Sequence, residues 1–133
     1  MDYTKLIYEI LSADDSMRYA EIIGADGELI LNKMKQGKYN IKAQRKEELL
    51  SLDLYNTKQM EQKFNRSLGK IMFTHVSRTK ANQLVWYLDD LIIYCTCEGS
   101  VKGLKILEVS RKIESILGIG GRIELRDFIK IPN

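Results

Sequence analysis

Apolar residues fall along this chain in blocks whose spacing changes from helical to strand-like and back. Leu6, Ile7, Ile10 and Leu11 recur at spacings of three and four, which predicts a first helix over residues 3–11, ended by the polar cluster Ser12-Ala13-Asp14-Asp15-Ser16. Two apolar runs follow, residues 18–23 and 28–34, on either side of Ala25-Asp26-Gly27. Asp-Gly between such runs predicts a hairpin, because glycine accepts the positive φ the turn requires. Gly37 and Asn40 mark a loop. Residues 42–68 then contain no glycine or proline and carry Leu49, Leu50, Leu52, Leu54, Met60, Phe64 and Leu68, so they read as one long helix capped by Gly69.

Residues 70–77 alternate Ile71, Phe73 and His75 with Met72, Thr74 and Val76, a period of two that predicts a strand. Lys80-Ala81-Asn82 is the expected turn. Two further strands, 84–88 and 91–97, are rich in β-branched and aromatic residues and flank the tight turn Asp89-Asp90. Ile106, Val109, Ile113 and Ile116, with Leu104, Leu107 and Leu117 beside them, give a last helix over 101–117. Beyond Gly118, Gly120 and Gly121 the chain carries Ile123, Leu125, Phe128, Ile129 and Ile131. That is too apolar for a solvated tail, so residues 118–133 are expected to dock on the domain or on a partner.

Composition adds bounds to this pattern. At 133 residues and 44% hydrophobic, the chain can bury one core without disulfide or metal. Lys+Arg 21 against Asp+Glu 18 gives a net charge of +3 with both signs interspersed, too little to indicate nucleic acid. No apolar stretch reaches the roughly 20 residues of a membrane span and no basic, apolar leader follows Met1, so a cytoplasmic protein is expected.

Several residues are capable of chemistry, and each has a structural reading beside the functional one. Cys95 and Cys97 stand two apart in an apolar strand and would share one face, where a disulfide would be strained. With His75 the sole histidine they make an incomplete zinc set, so buried, reduced thiols are the expectation. A Cys-His nucleophile lacks an accompanying oxyanion loop. Gly118-Ile119-Gly120-Gly121 follows a helix and lacks the Lys-Ser/Thr of a phosphate loop, which favours a helix stop. Asp14-Asp15 and Asp89-Asp90 sit at chain reversals, where aspartate satisfies its own turn. Phe73, Trp86, Tyr87 and Tyr94 could stack on bases, but in strands such residues usually fill cores. No catalytic residue, cofactor site or metal site is assigned.

The order helix, two strands, long helix, three strands, helix resembles that of the Roadblock/LC7 superfamily. Ile22-Ile23-Gly24-Ala25-Asp26-Gly27-Glu28-Leu29-Ile30 looks like the superfamily's first hairpin, and the run from Ser16 to Ile23 is similar to small archaeal proteins of Roadblock-like fold. The resemblance covers residues 3–117. It implies an α+β fold, profilin-like, with helices flanking a five-stranded antiparallel sheet made from the two-strand and three-strand halves side by side. It also implies a non-catalytic dimeric adaptor or regulatory scaffold, acting on a small Ras-like GTPase or a signalling complex. The competing class is a PAS-, GAF- or profilin-like sensor holding a small ligand between sheet and helix, and a third is nucleic-acid binding through the basic loop.

In the implied sheet the strand from Ile71 to Ser77 lies at an edge, open to pairing with a second copy. The expected dimer residues are Leu49, Leu50, Leu52 and Leu54, which exceed one sheet-facing stripe, with Ile71, Phe73 and Val76. The expected partner surface is the basic loop and helix start, Lys35, Lys38, Lys42, Arg45 and Lys46.

Overall fold

A computed structural model describes residues 2–35 and 44–119, and the side chains of residues 50–119 within the second stretch. The first helix, α1 (Tyr3–Leu11), begins where the Asp2 carboxylate accepts the Lys5 backbone N–H at 3.1 Å, a side-chain cap for an otherwise open helix end. Its apolar stripe, Leu6, Ile7, Ile10 and Leu11, is buried. The hairpin follows as β1 (Met17–Gly24) and β2 (Leu29–Met34), with Gly27 at φ 84° in the turn. Helix α2 (Gln44–Glu61) gives way to a 3-10 turn (Gln62–Phe64) and a four-residue helix α3 (Asn65–Leu68). Gly69 caps it at φ 82° with its N–H on the Asn65 carbonyl. Three strands come next, β3 (Phe73–Ser77), β4 (Ala81–Tyr87) and β5 (Leu91–Glu98), and then α4 (Leu104–Leu117).

The five strands form one antiparallel sheet in the order β2-β1-β5-β4-β3. The two halves of the chain therefore meet at β1 against β5, where Glu21 pairs Tyr94 and Ile22 pairs Ile93. Strand alternation divides the core into two layers. Leu6, Ile7, Ile10, Ala20, Ile22, Leu84, Trp86, Ile93, Cys95, Cys97, Val109 and Ile113 pack between the sheet and the α1/α4 layer. Tyr19, Ile23, Val85, Tyr87, Ile92 and Tyr94 face the other way, toward Leu50, Leu54 and Tyr55 of α2. The architecture is α+β, a five-stranded antiparallel sheet with flanking helices, as the resemblance implied.

Three expectations about local structure change. The helix expected to run unbroken to Leu68 tightens at Gln62 and restarts at Asn65. The strand expected from Lys70 begins only at Phe73, so Ile71 packs with the α2-side cluster while Phe73 faces Trp86 in the opposite layer, at 5.0 Å between ring centres. The turn expected at Lys80-Ala81-Asn82 lies at residues 78–80, closed by the Arg78 N–H on the Ala81 carbonyl at 3.0 Å, and Ala81 and Asn82 belong to β4. Asn82 looks like a turn residue but is buried, its amide donating to the carbonyls of Glu98 and Val101 at 2.9 Å each.

Candidate interaction surface

Nine large apolar side chains are exposed among the described residues, and six of them, Leu52, Met60, Phe64, Leu68, Met72 and Val76, fall on the stretch that runs from α2 through α3 to β3. Leu68 is 80% exposed and Met60 66%. The concentration has a local cause. Leu50, Leu54 and Tyr55 occupy the side of α2 that meets the sheet, and Lys58 anchors the helix by donating to the carbonyls of Leu88 (2.6 Å) and Asp89 (3.2 Å) in the β4–β5 turn. With that side fixed, Leu52 and Met60 are turned outward.

Beside this ridge, β3 lies at the edge of the sheet, and among the described residues it pairs only with β4. The other edge, β2, is protected differently. Asn32 and Lys33 lie along it, and the Lys33 ammonium sits 4.8 Å from the centre of the Tyr8 ring. On β3, the His75 ring nitrogen Nε2 meets Asn82 Oδ1 at 2.8 Å. Both amide hydrogens of Asn82 already go to carbonyls, so Oδ1 is the acceptor and His75 Nε2 carries the proton. His75 thus serves the sheet.

The expected dimer residues separate accordingly. Leu50, Leu54 and Ile71 pack, partly buried, against the α2-side cluster, and Phe73, also partly buried, against Trp86. Leu52 and Val76 are exposed, at 48% and 42%. The Leu49 side chain lies outside the described residues. Met60, Phe64, Leu68 and Met72 were not among the expected residues. In the sequence they read as the stripe of one continuous helix and strand, and only the break after Glu61 shows that α2's sheet-facing side has ended before them.

The expected basic surface is described only at Lys35, whose ammonium donates to the carbonyls of Asp14 (3.0 Å) and Asp15 (3.3 Å) and so ties β2 to the α1–β1 turn. Lys38 and Lys42, and the side chains of Arg45 and Lys46, lie outside the described residues.

Polar groups inside the domain act as ties between layers. Glu21 is buried on β1 and accepts from Tyr19 Oη (2.7 Å) and from Ser51 Oγ of α2 (2.8 Å). Glu114 of α4 accepts from Trp86 Nε1 at 2.9 Å. Asp14 accepts from Ser16 Oγ (2.6 Å), Ser16 N (3.0 Å) and the Lys105 ammonium (3.1 Å). Those bonds, the Ser16 hydroxyl first, hold its carboxyl well below the usual range. Burial pushes the Tyr94 hydroxyl up to about 12 and the Cys97 thiol up to about 11, and raises the Cys95 thiol as well. Both thiols are free and buried on the α1/α4 face. Among the described residues no three His, Cys, Asp or Glu side chains converge as a metal would need. No helix there is long and apolar enough to cross a membrane.

A sensor would hold its ligand between sheet and helix; among the described residues that layer is packed with Tyr19, Tyr94, Val85, Leu50, Leu54 and Tyr55. Base stacking on the sheet is likewise closed off, since Trp86, Tyr87 and Tyr94 are buried. Among the described residues a small cavity of about 140 Å³ lies between α2, α3 and the end of β4, lined by Lys58, Gln62, Asn65, Ile71 and Tyr87, and two larger grooves are peripheral. One of about 320 Å³ lies between the start of α1, the end of α4 and the β4–β5 turn, and another of about 450 Å³ between Tyr8 and the Lys33–Lys35 edge.

No family model matches the sequence, and no curated protein matches it. Solved structures do. The gliding protein MglB of Thermus thermophilus superposes with a TM-score of 0.67 at 14% identity, covering 90% of this chain and 89% of that one. MglB in a tetrameric arrangement gives 0.67 at 13%, covering 88% and 86%. A Roadblock/LC7 domain from Streptomyces avermitilis gives 0.60 at 8%, covering 89% and 95%. The fold is Roadblock/LC7-like.

Proposed function

We propose that this chain is a non-catalytic scaffold that works as a homodimer, joined along β3 and the outer side of α2 and α3, and that the dimer presents a composite surface to a protein partner. The observation that carries this reading is the concentration of exposed apolar side chains beside an open sheet edge. Leu68, Met60 and Phe64 present apolar surface to water along one stretch of the chain, and covering it on association is favourable. Antiparallel pairing of β3 with its own copy satisfies the edge and, by two-fold symmetry, brings the two α2 helices together. MglB, a protein of the same fold, has a solved structure with a tetrameric arrangement, which supports self-association.

The partner class we assign is a small Ras-like GTPase, as the resemblance to Roadblock/LC7 proteins implies. Self-association is tested by light scattering at micromolar concentration, where twice the chain mass is expected and the chain mass alone refutes the dimer. The partner is tested by titrating purified small GTPases of the source organism, loaded with GTP or with GDP. Nucleotide-dependent binding is the expected result, and none binding in either state removes the GTPase from the proposal.

A further inference from the structure

The two edges of the sheet differ in chemistry, and the charged one fits a different occupant. Strand β2 pairs with β1 on one side, and among the described residues no strand lies on its other side. The Lys35 N–H donates to the Arg18 carbonyl at 2.8 Å, so Lys35 and, by alternation, Lys33 turn their main-chain groups toward β1. Those of Asn32 and Met34 then point outward, an open ladder of the kind an extended chain joins. Residues 120–133, the stretch expected to dock on the domain or on a partner, lie outside the described residues, as do residues 36–43 after β2.

The side chains along this edge add charge to the open ladder. Lys33 stands opposite Ala20 in the register and shares its face of the sheet, the one that α1 covers. Its ammonium lies 4.8 Å from the centre of the Tyr8 ring. Lys35, two residues on, faces the same way and donates to the carbonyls of Asp14 and Asp15. The Asp14 carboxylate itself is held by Lys105 at 3.1 Å and Lys112 at 3.6 Å, and neither Lys33 nor Lys35 forms an ion pair among the described residues. Between these two lysines and α1 runs the groove of about 450 Å³, walled on the helix side by Tyr8, Leu11 and Ser12.

These features disfavour one occupant and describe another. A second copy pairing at β2 would set lysines beside lysines on one face of the joined sheet, which like charges oppose. An extended segment with carboxylates two residues apart offers the opposite sign at the same spacing, because strand side chains alternate. The residue between the carboxylates turns to the other face, beside Met34, where an apolar β-branched side chain fits. Glutamate suits the flanking positions, since its methylenes can lie along Tyr8 and Leu11 while its carboxylate reaches a lysine. We propose that the β2 edge is a docking site for an extended acidic segment of another protein, of the pattern Glu-apolar-Glu, which adds to the sheet as a further strand. Strands β2 and β3 are opposite edges, so docking here and self-association at β3 stand or fall separately.

The test titrates the full chain with the N-acetylated, C-amidated peptide TVEVEVT and with TVKVKVT as its charge-reversed control. The expected result is that the glutamate peptide shifts the backbone amide signals of Asn32 and Met34 and leaves those of His75 and Ser77 in place, while the lysine peptide shifts neither pair. Lys33→Glu is expected to weaken the glutamate peptide by about tenfold or more and to admit the lysine peptide. Lys33→Gln, which removes the charge without setting a carboxylate beside Tyr8, should weaken the glutamate peptide in the same direction. No binding, equal binding of the two peptides, or amide shifts centred on β3 overturns the proposal. So does oligothymidylate that binds at the same amides more tightly than the peptide, because that result assigns the lysines to nucleic-acid phosphates.

Discussion

The indole N–H of Trp86, on β4, donates to the carboxylate of Glu114, on α4, at 2.9 Å, and both residues are buried in the layer that holds the helix on the sheet. A hydrogen bond to a charged acceptor in such a place contributes more than a neutral one, and removing the donor leaves the carboxylate one partner short. Trp86→Phe is therefore expected to cost about 1–3 kcal/mol in urea unfolding, beyond what the lost ring volume explains. A double-mutant cycle with Glu114→Gln should return a coupling of about 0.5–3 kcal/mol. Additive effects would show that the pair is merely adjacent.

Asp14 sets an acid limit on stability. Its carboxyl is held below the usual range by the Ser16 hydroxyl and N–H and then by Lys105. A depressed folded-state pKa means that the stabilisation is complete above the ordinary value of 3.8 and is lost as the pH falls through the folded value. Asp14→Asn should thus lower the urea midpoint at pH 7 and have a smaller effect at pH 3, with Ser16→Ala following in the same direction. An equal loss at both pH values would assign the effect to packing and not to charge.

Cys95 and Cys97 share a face, as their spacing indicated, but that face lies beneath α1 and α4. Burial raises both thiols, Cys97 to about 11, with the Asp14 charge adding to it. At pH 8 a thiol of that kind is thiolate in only about one molecule in a thousand. A colourless-to-yellow thiol titration should therefore report almost no reaction in the native protein and two thiols after denaturation. Rapid native labelling would mean that the α1/α4 layer opens.

Local signals in the sequence were sufficient for the elements whose cause is local. Asp26-Gly27 marked the hairpin because its turn needs positive φ, and the three-and-four spacing from Ile106 to Ile116 marked α4 because one side of that helix is core. What stayed hidden depends on tertiary partners. Asn82 resembles a turn residue until the carbonyls of Glu98 and Val101 are seen to claim its amide. Tyr55 rests so close to Gly27 that a Cβ there would come within 2.8 Å of its ring, a contact 28 residues apart in sequence that docks α2 on the hairpin. The leucines of α2 could not be sorted by pattern alone, because Leu50, Leu52 and Leu54 stand two apart and no helical period separates their roles without knowing where the sheet lies.

That sorting gives the sharpest test of self-association. Leu54 is half-buried against the α2-side cluster, so Leu54→Ala should destabilise the chain by about 1–3 kcal/mol at any concentration. Leu68 and Met60 are turned to solvent, and Leu68→Lys or Met60→Lys should change the unfolding of dilute protein by no more than about 0.5 kcal/mol. Their effect belongs to association. If α2 and α3 pack against a second copy, the wild-type melting temperature rises with protein concentration, because the folded dimer is favoured by mass action. The Leu68→Lys curve then needs a concentration about tenfold or more higher to reach the same melting temperature, since its dimer dissociation constant weakens by that factor, the equivalent of about 1.4 kcal/mol. Val76→Lys tests the strand edge in the same way, without touching α2. A wild-type melting temperature that does not move between low and high concentration, with Leu68→Lys indistinguishable from it, would leave the exposed ridge to some other protein and end the homodimer reading.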